Sequence, residues 1–287
     1  MSIAANIAKV REEIAGACRR AGRAESDVAL MAVSKMHPAE AIAEASGAGL
    51  CVFGENRVQE WQQKQPIVAQ LRDDSRQIRM HLIGPLQSNK TGRAAELFDA
   101  VDTVDSVRIA ARLNQTAMEL KKRLPVLIEV KLSPEETKHG LAPAELMAVL
   151  EQLQALEALE CSGLMTVPPW SEDGETARPY FRELRRLRDE AARRFPAVTQ
   201  LSMGMSNDFA VAIEEGSTCV RIGTAIFGKR QYPERANGLT ACGTRCGGRM
   251  HASGPGASGR EAECDWRDAC GRVEGVDHGA CGGRTGE

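Results

Sequence analysis

The sequence predicts a (β/α)8 barrel, and three observations carry that reading. Eight short apolar, β-branched runs recur between residues 27 and 223. The segments between them carry apolar residues at three- and four-residue spacing, the mark of a helix with one buried face. The whole alternation fits within about 230 residues, a typical span for such a barrel. An open, doubly wound sheet is the alternative arrangement of the same elements.

The elements follow in order. A leading amphipathic helix over residues 2–22 precedes the first strand and is placed to cover one end of the barrel. The first strand reads VALMAVSK (28–35), and Pro38 opens the helical stretch PAEAIAEASGAG after it. The second strand is LCVFGEN (50–56), the third RMHLIG (79–84) and the fourth AVDTVDS (100–106), followed by the helix SVRIAARLNQTAMELKKR. PVLIEVKL (125–132) leads to a helix near Pro143, and LECSGLMTV (159–167) leads to ARPYFRELRRLRDEAARRF. VTQLSMG (198–204) precedes Ser206-Asn207-Asp208, a helix-start signal, and TCVRIG (218–223) closes the set. Near-continuous apolar strands are what a parallel sheet covered on both faces requires.

Charge and hydropathy exclude several classes of function. With 37 basic and 39 acidic residues the net charge is −2, so there is no field to draw in nucleic acid or an anionic membrane. No apolar run approaches the roughly 18–20 residues that span a bilayer. The N-terminus lacks the apolar core of a secretion signal, and a cytoplasmic location is the expectation.

The composition breaks after about Tyr232. Residues 235–287 hold 13 Gly, 7 Arg and no Lys, with five residues from Val, Ile, Leu, Met, Phe and Trp. Such a segment buries too little apolar surface to offset its ordering entropy. The expected division is therefore a barrel over 1–232 and a disordered or non-native tail over 233–287. Cys242, Cys246, Cys264 and Cys270 in that tail lack the short spacing of a zinc knuckle, so no metal is assigned. The four cysteines of the body, Cys18, Cys51, Cys161 and Cys219, have mostly apolar neighbours and read as buried thiols.

In a barrel of this kind the chemistry sits at the C-terminal ends of the strands. Lys35 ends the first strand, where desolvation favours a neutral, nucleophilic amine suited to Schiff-base formation with an aldehyde. Gly204-Met205-Ser206 follows the seventh strand and Gly223-Thr224 the eighth, and each opens a helix. Backbone N–H groups, a hydroxyl and a positive helix end together suit a phosphate. A lysine opposite this phosphate cup points to pyridoxal 5′-phosphate (PLP), which carries both an aldehyde and a phosphate. The stretch from Gly223 to Arg230 only imitates a nucleotide-binding loop, because its last position is Arg in place of the magnesium-binding hydroxyl.

These segments resemble one family closely. They are Val33-Ser34-Lys35, residues 53–60 (FGENRVQE), residues 81–90 (HLIGPLQSNK), Lys138-His139-Gly140, Gly163-Leu164-Met165-Thr166, residues 202–208 (SMGMSND) and residues 221–228 (RIGTAIFG). Together they resemble the PLP homeostasis proteins, barrels of the PLP fold-type III kind related to the N-terminal domain of alanine racemase. The resemblance implies that Lys35 forms the Schiff base, that Ser206, Gly223 and Thr224 hold the phosphate, and that Arg221 faces the pyridine nitrogen. It places Asn56 near the other edge of the ring and His81 at the barrel floor, and it treats Met203 and Met205 as packing. Arg57 stands where an aromatic is common in the family, and Met80 where Trp is common.

The resemblance implies a carrier or buffer of the cofactor, with PLP-dependent apoenzymes as recipients, and not an enzyme. A racemase-type PLP enzyme is the alternative. It needs a second acid/base on the opposite face of the cofactor, and neither Tyr180 nor Tyr232 falls at a strand end. With no second domain to form a dimer contact, a monomer is the expected state.

Overall fold

In the computed structural model, which describes residues 2–71, 77–135 and 139–228, eight parallel strands close into a barrel in sequence order. They are β1 (Ala29–Val33), β2 (Val52–Glu55), β3 (Arg79–Leu82), β4 (Ala100–Val104), β5 (Leu124–Glu129), β6 (Leu159–Met165), β7 (Gln200–Ser202) and β8 (Cys219–Ile222). Closure is made by β1 against β8, with Ala29 beside Cys219 and Ala32 beside Ile222. The strands are shorter than the apolar runs that predicted them: every one stops before its run does, and β2 and β7 also begin two residues later. Lys35, for example, stands two residues beyond Val33, in the turn that follows β1. The proposed tail and the boundary at 232 lie outside the described residues, as does Lys138.

The helices form the outer layer. They are α1 (Ile3–Ala21), α2 (Ala39–Gly47), α3 (Val58–Leu71), α4 (Thr91–Leu97), α5 (Val107–Glu119), α6 (Leu146–Leu153), α7 (Arg178–Ala192), α8 (Phe209–Glu214) and α9 (Thr224–Phe227). In α7, Phe181, Leu184, Leu187 and Ala191 recur at three- and four-residue spacing and are buried. Its other face carries ion pairs such as Arg186 with Glu183 and Glu190, both at 2.8 Å. Burying each large side chain contributes about 2 kcal/mol, so the apolar stripe, and not the surface charge, fixes how α7 seats on the barrel.

Two expectations are corrected here. Helix α1 does not cover an end of the barrel. It packs against α2, α8 and α9, and it fills the outer layer at the closing seam, where among the described residues β8 is followed by the single turn of α9. The Asn6 side-chain amide donates to the Ile226 carbonyl at 2.8 Å, and Arg20 pairs with Glu214 at 2.8 Å. Of the four cysteines read as buried, Cys18 and Cys219 are buried, whereas Cys51 is exposed and Cys161 is half-buried. Cys51 precedes β2, outside the stretch where apolar neighbours enclose both faces.

Candidate functional site

The loops after the strands surround a cavity of about 640 Å3, a volume suited to a small molecule. Lys35, Asn56, Ser206, Arg221, Gly223 and Thr224 all line it, although they come from both ends of the chain. Lys35 follows β1, Asn56 follows β2, Ser206 lies between β7 and α8, Arg221 is on β8, and Gly223-Thr224 opens α9.

The lysine and the candidate phosphate loops are not opposite one another. Because β1 pairs with β8, Lys35 and Gly223-Thr224 are neighbours on the rim. A Cβ added to Gly223 would lie 3.3 Å from the Val33 carbonyl oxygen, so the two chain segments nearly touch. This corrects the expectation of a cofactor stretched across the mouth. The correction suits pyridoxal phosphate, whose aldehyde and phosphate arms stand on neighbouring ring carbons and need neighbouring anchors.

The candidate phosphate side combines backbone N–H groups with two hydroxyls. The first-turn N–H groups of α9, those of Thr224 and Ala225, have no acceptor within the helix, and both residues line the cavity. Helices α8 and α9 are six and four residues long, too short for a large macrodipole, so local N–H groups and the Ser206 and Thr224 hydroxyls are what this side offers an anion. Asp208 Oδ1 accepts the Met205 N–H at 2.5 Å and shapes the turn that carries Ser206. Burial pushes the Asp208 carboxyl above its ordinary value.

Arg221 forms the inner wall. It is 4% exposed. Its guanidinium donates to Ser202 Oγ at 2.8 Å and to the Thr166 carbonyl at 2.9 Å. Burial lowers its pKa, with Asp102 the largest opposing influence. Asp102 is buried on β4 and lies 3.9 Å from His81 Nδ1. His81 itself is buried within the barrel beneath the cavity and is not among the residues that line it. Met203 is fully buried, in keeping with packing, whereas Met205 reaches the cavity.

At the second strand, Gly84 is required by the close approach of two loops. A Cβ there would lie 2.4 Å from the Asn56 carbonyl oxygen. The side-chain oxygen Oδ1 of Asn56 is buried with no hydrogen-bond partner among the described residues. A buried acceptor of this kind can take a donor from water or from a bound molecule.

Behind Lys35 lies a network that the sequence did not reveal. Lys64 of α3 is 9% exposed, and its ammonium makes three bonds: to Glu55 Oε1 at 2.6 Å, to Glu60 Oε1 at 2.6 Å and to the Ser34 carbonyl at 3.0 Å. Glu55 is fully buried and also accepts from Ser34 Oγ at 2.8 Å. Burial outweighs the nearby ammonium and raises the Glu55 carboxyl to about 7. Glu60 Oε1 accepts the N–H of Met36, a residue held at φ +62°. In sequence, Glu60 and Lys64 read as an ordinary i,i+4 pair on a solvated helix face; only the burial of α3 against the loop after β1 shows otherwise. Thr103, Glu129, His139 and the 70% exposed Trp170 also line the cavity. Trp170 sits in the loop after β6, with no periodic signal to draw notice to it.

Comparison with known proteins agrees in extent with the barrel. The family described as alanine racemase, N-terminal domain, matches residues 3–231. The chain is 42% identical over 233 residues to the pyridoxal phosphate homeostasis protein of Aquifex aeolicus, covering 81% of this chain and 100% of that one. It is 43% identical over 240 residues to the protein of the same name from Escherichia coli, covering 81% and 99%. The structure of PipY of Synechococcus elongatus with PLP bound superposes with a TM-score of 0.69 at 39% identity, covering 79% of this chain and 100% of PipY. Alanine racemase from Bartonella henselae shares the fold alone, at TM-score 0.57 and 14% identity, and this chain covers 58% of it.

Proposed function

The chain belongs to the family of pyridoxal phosphate homeostasis proteins, built on the alanine racemase N-terminal domain, and on that premise we propose how its cavity serves that role. The protein binds pyridoxal 5′-phosphate and takes part in keeping the cofactor available. When bound, the cofactor supplies an aldehyde carbon open to reversible attack by a primary amine. Lys35 presents that amine. The Ser206 and Thr224 hydroxyls and the N–H groups of Gly223, Thr224 and Ala225 hold the phosphate. Asn56 offers a buried acceptor at the far edge of the ring. Arg221 meets the pyridine nitrogen with a cation, which keeps that nitrogen unprotonated and limits how well the ring accepts electrons.

The single observation that carries this reading is the convergence of all six residues on one cavity, with the amine and the phosphate loops side by side at the closing seam. Holding a reactive aldehyde on a protein amine keeps it from free amines, while the bond remains reversible. Borohydride reduction of the PLP-loaded protein, followed by mass mapping, tests the assignment. The modified lysine is expected to be Lys35, and Lys35→Ala should lose both the modification and the visible absorption of the bound cofactor. Modification centred on another lysine overturns it.

We further assign a carrying or buffering role without turnover, with PLP-dependent apoenzymes as recipients, a monomeric state and a cytoplasmic location. Among the described residues no helix is long and apolar enough to cross a membrane. The racemase reading draws on Glu129 and His139, titratable groups on the cavity wall. Against it, Tyr180 lies on α7 away from the cavity. Alanine racemisation by the PLP-loaded chain is expected to stay at background; turnover well above background favours the enzyme.

A further inference from the structure

The two peptide groups that flank Lys35 are both held by the same three side chains of β2 and α3. On one side, the Ser34 carbonyl accepts from Lys64 Nζ at 3.0 Å. On the other, the Met36 N–H donates to Glu60 Oε1. Lys64 joins these two contacts, because its ammonium also bonds Glu60 Oε1 and Glu55 Oε1, each at 2.6 Å. Its three N–H bonds are thereby all used. Glu55 then reaches back to the Ser34 hydroxyl at 2.8 Å, so the network closes on the residue before Lys35.

Met36 shows what the network has to oppose. It is a non-glycine residue at φ +62°, a conformation that costs an L-residue on the order of 1 kcal/mol. Its side chain is 43% exposed, so burial of the methionine does not impose the turn. The Glu60 carboxylate on its N–H is a charge-assisted bond, roughly twice as strong as a neutral one. That bond, together with the pinned carbonyl one peptide earlier, fixes the direction in which Lys35 leaves the backbone.

We propose that Lys64 and Glu60, braced by Glu55, are positioning residues that aim the Lys35 amine at the aldehyde end of the cofactor. None of the three lines the cavity, so they act through the backbone on either side of Lys35. The consequence is specific. Loosening the clamp weakens capture of the cofactor while leaving the phosphate loops on the far side of the β1–β8 seam in place.

The inference rests on the assignment of Lys35 as the capturing amine, and the test separates the two. The full chain is loaded with pyridoxal phosphate, reduced with borohydride, and the label on Lys35 is measured by peptide mass against time for wild type, Glu60→Ala and Glu60→Gln. The visible absorption of the bound cofactor and the thermal midpoint are recorded in parallel. Glu60 is partly exposed, so both variants should fold, which Lys64→Met, stranding a buried carboxylate, need not do. Glu60→Ala is expected to label about tenfold more slowly, as a small misplacement of a reacting group allows. Glu60→Gln, which keeps an acceptor for the Met36 N–H, should recover at least half of the wild-type rate at the same midpoint. Equal labelling of wild type and Glu60→Ala overturns the positioning role and leaves the cofactor assignment standing. Loss in Glu60→Gln as severe as in Glu60→Ala also overturns it. A wild type that takes no label on Lys35 overturns the cofactor assignment, and the clamp with it.

Discussion

Arg221 donates to Ser202 Oγ at 2.8 Å across the β7–β8 pair, deep inside the barrel. The Ser202 hydroxyl in turn faces Asp102 Oδ2 at 3.5 Å. A cation on β8 is thus linked through one hydroxyl to a carboxylate on β4, on the other side of the barrel. The site floor and the barrel interior are one polar chain, and a change at either end must be felt at the other.

Arg221→Met should therefore cost more than one contact. It removes the buried cation that Asp102 reaches through Ser202, a loss of about 3 kcal/mol if the coupling is as strong as that of a direct buried pair. The double variant Arg221→Met/Asp102→Asn removes both charges and should regain more than half of that stability, while cofactor binding stays impaired. Urea unfolding of the two variants and the wild type, with PLP titration alongside, checks both halves of the expectation.

Stability should fall with rising pH because of Glu55. Its carboxyl is raised from 4.5 to about 7 by burial. In that interval the folded chain holds a proton at Glu55 that the unfolded chain has released, so the folded state binds more protons and loses stability as pH rises. The full effect is roughly 3 kcal/mol between the two values. Glu55→Gln removes the titrating group and should flatten the curve of unfolding free energy over this window. A slope unchanged by the substitution would refute the assignment to Glu55.

Two glycines at the cavity should respond differently to alanine. At Gly84 the new Cβ meets a backbone oxygen at 2.4 Å, so Gly84→Ala must displace the loop after β2 and should destabilise by about 2 kcal/mol. At Gly223 the nearest atom is 3.3 Å away. Gly223→Ala should cost less than about 1 kcal/mol of folding and weaken PLP binding on the order of fivefold, as a shifted phosphate hydrogen bond would. Thermal unfolding and cofactor titration on both variants give the comparison.

Truncation after Tyr232 should preserve the barrel. The family match ends at residue 231, and the Aquifex aeolicus relative is covered along its whole length by 81% of this chain. The shortened chain is expected to keep its thermal midpoint and its PLP affinity within error. Loss of either would assign the last segment a role in the domain.

Much of the barrel was legible because a parallel strand covered on both faces is largely apolar, as in Ala29–Val33. Lys35, Ser206, Gly223 and Thr224 were legible as candidates because the chain changes character where a strand stops, as from LMAV to Ser34-Lys35; Asn56 and Arg221, the latter inside β8, were drawn out by the family resemblance. The adjacency of Lys35 and Gly223-Thr224 was implicit in the predicted (β/α)8 closure, which sets β8 beside β1, but motif spacing alone, with the two segments at opposite ends of the chain, suggested the reverse. Lys64 and Glu60 escaped notice because charged residues four apart on a helix usually face solvent. Helix α1 was misplaced because its amphipathic face says that it docks, but not where.

The seam between β1 and β8 has a consequence for synthesis. Lys35 leaves the ribosome early, whereas Gly223 and Thr224, and the Ile226 carbonyl that Asn6 holds at 2.8 Å, leave nearly two hundred residues later. On the proposed assignment, an unfinished chain holds the amine without the loops that take the phosphate, so vitamin capture waits until translation has run past the last strand. A ligand so held rivets the earliest and latest segments together and opposes their parting by a free energy that grows with the logarithm of its free concentration.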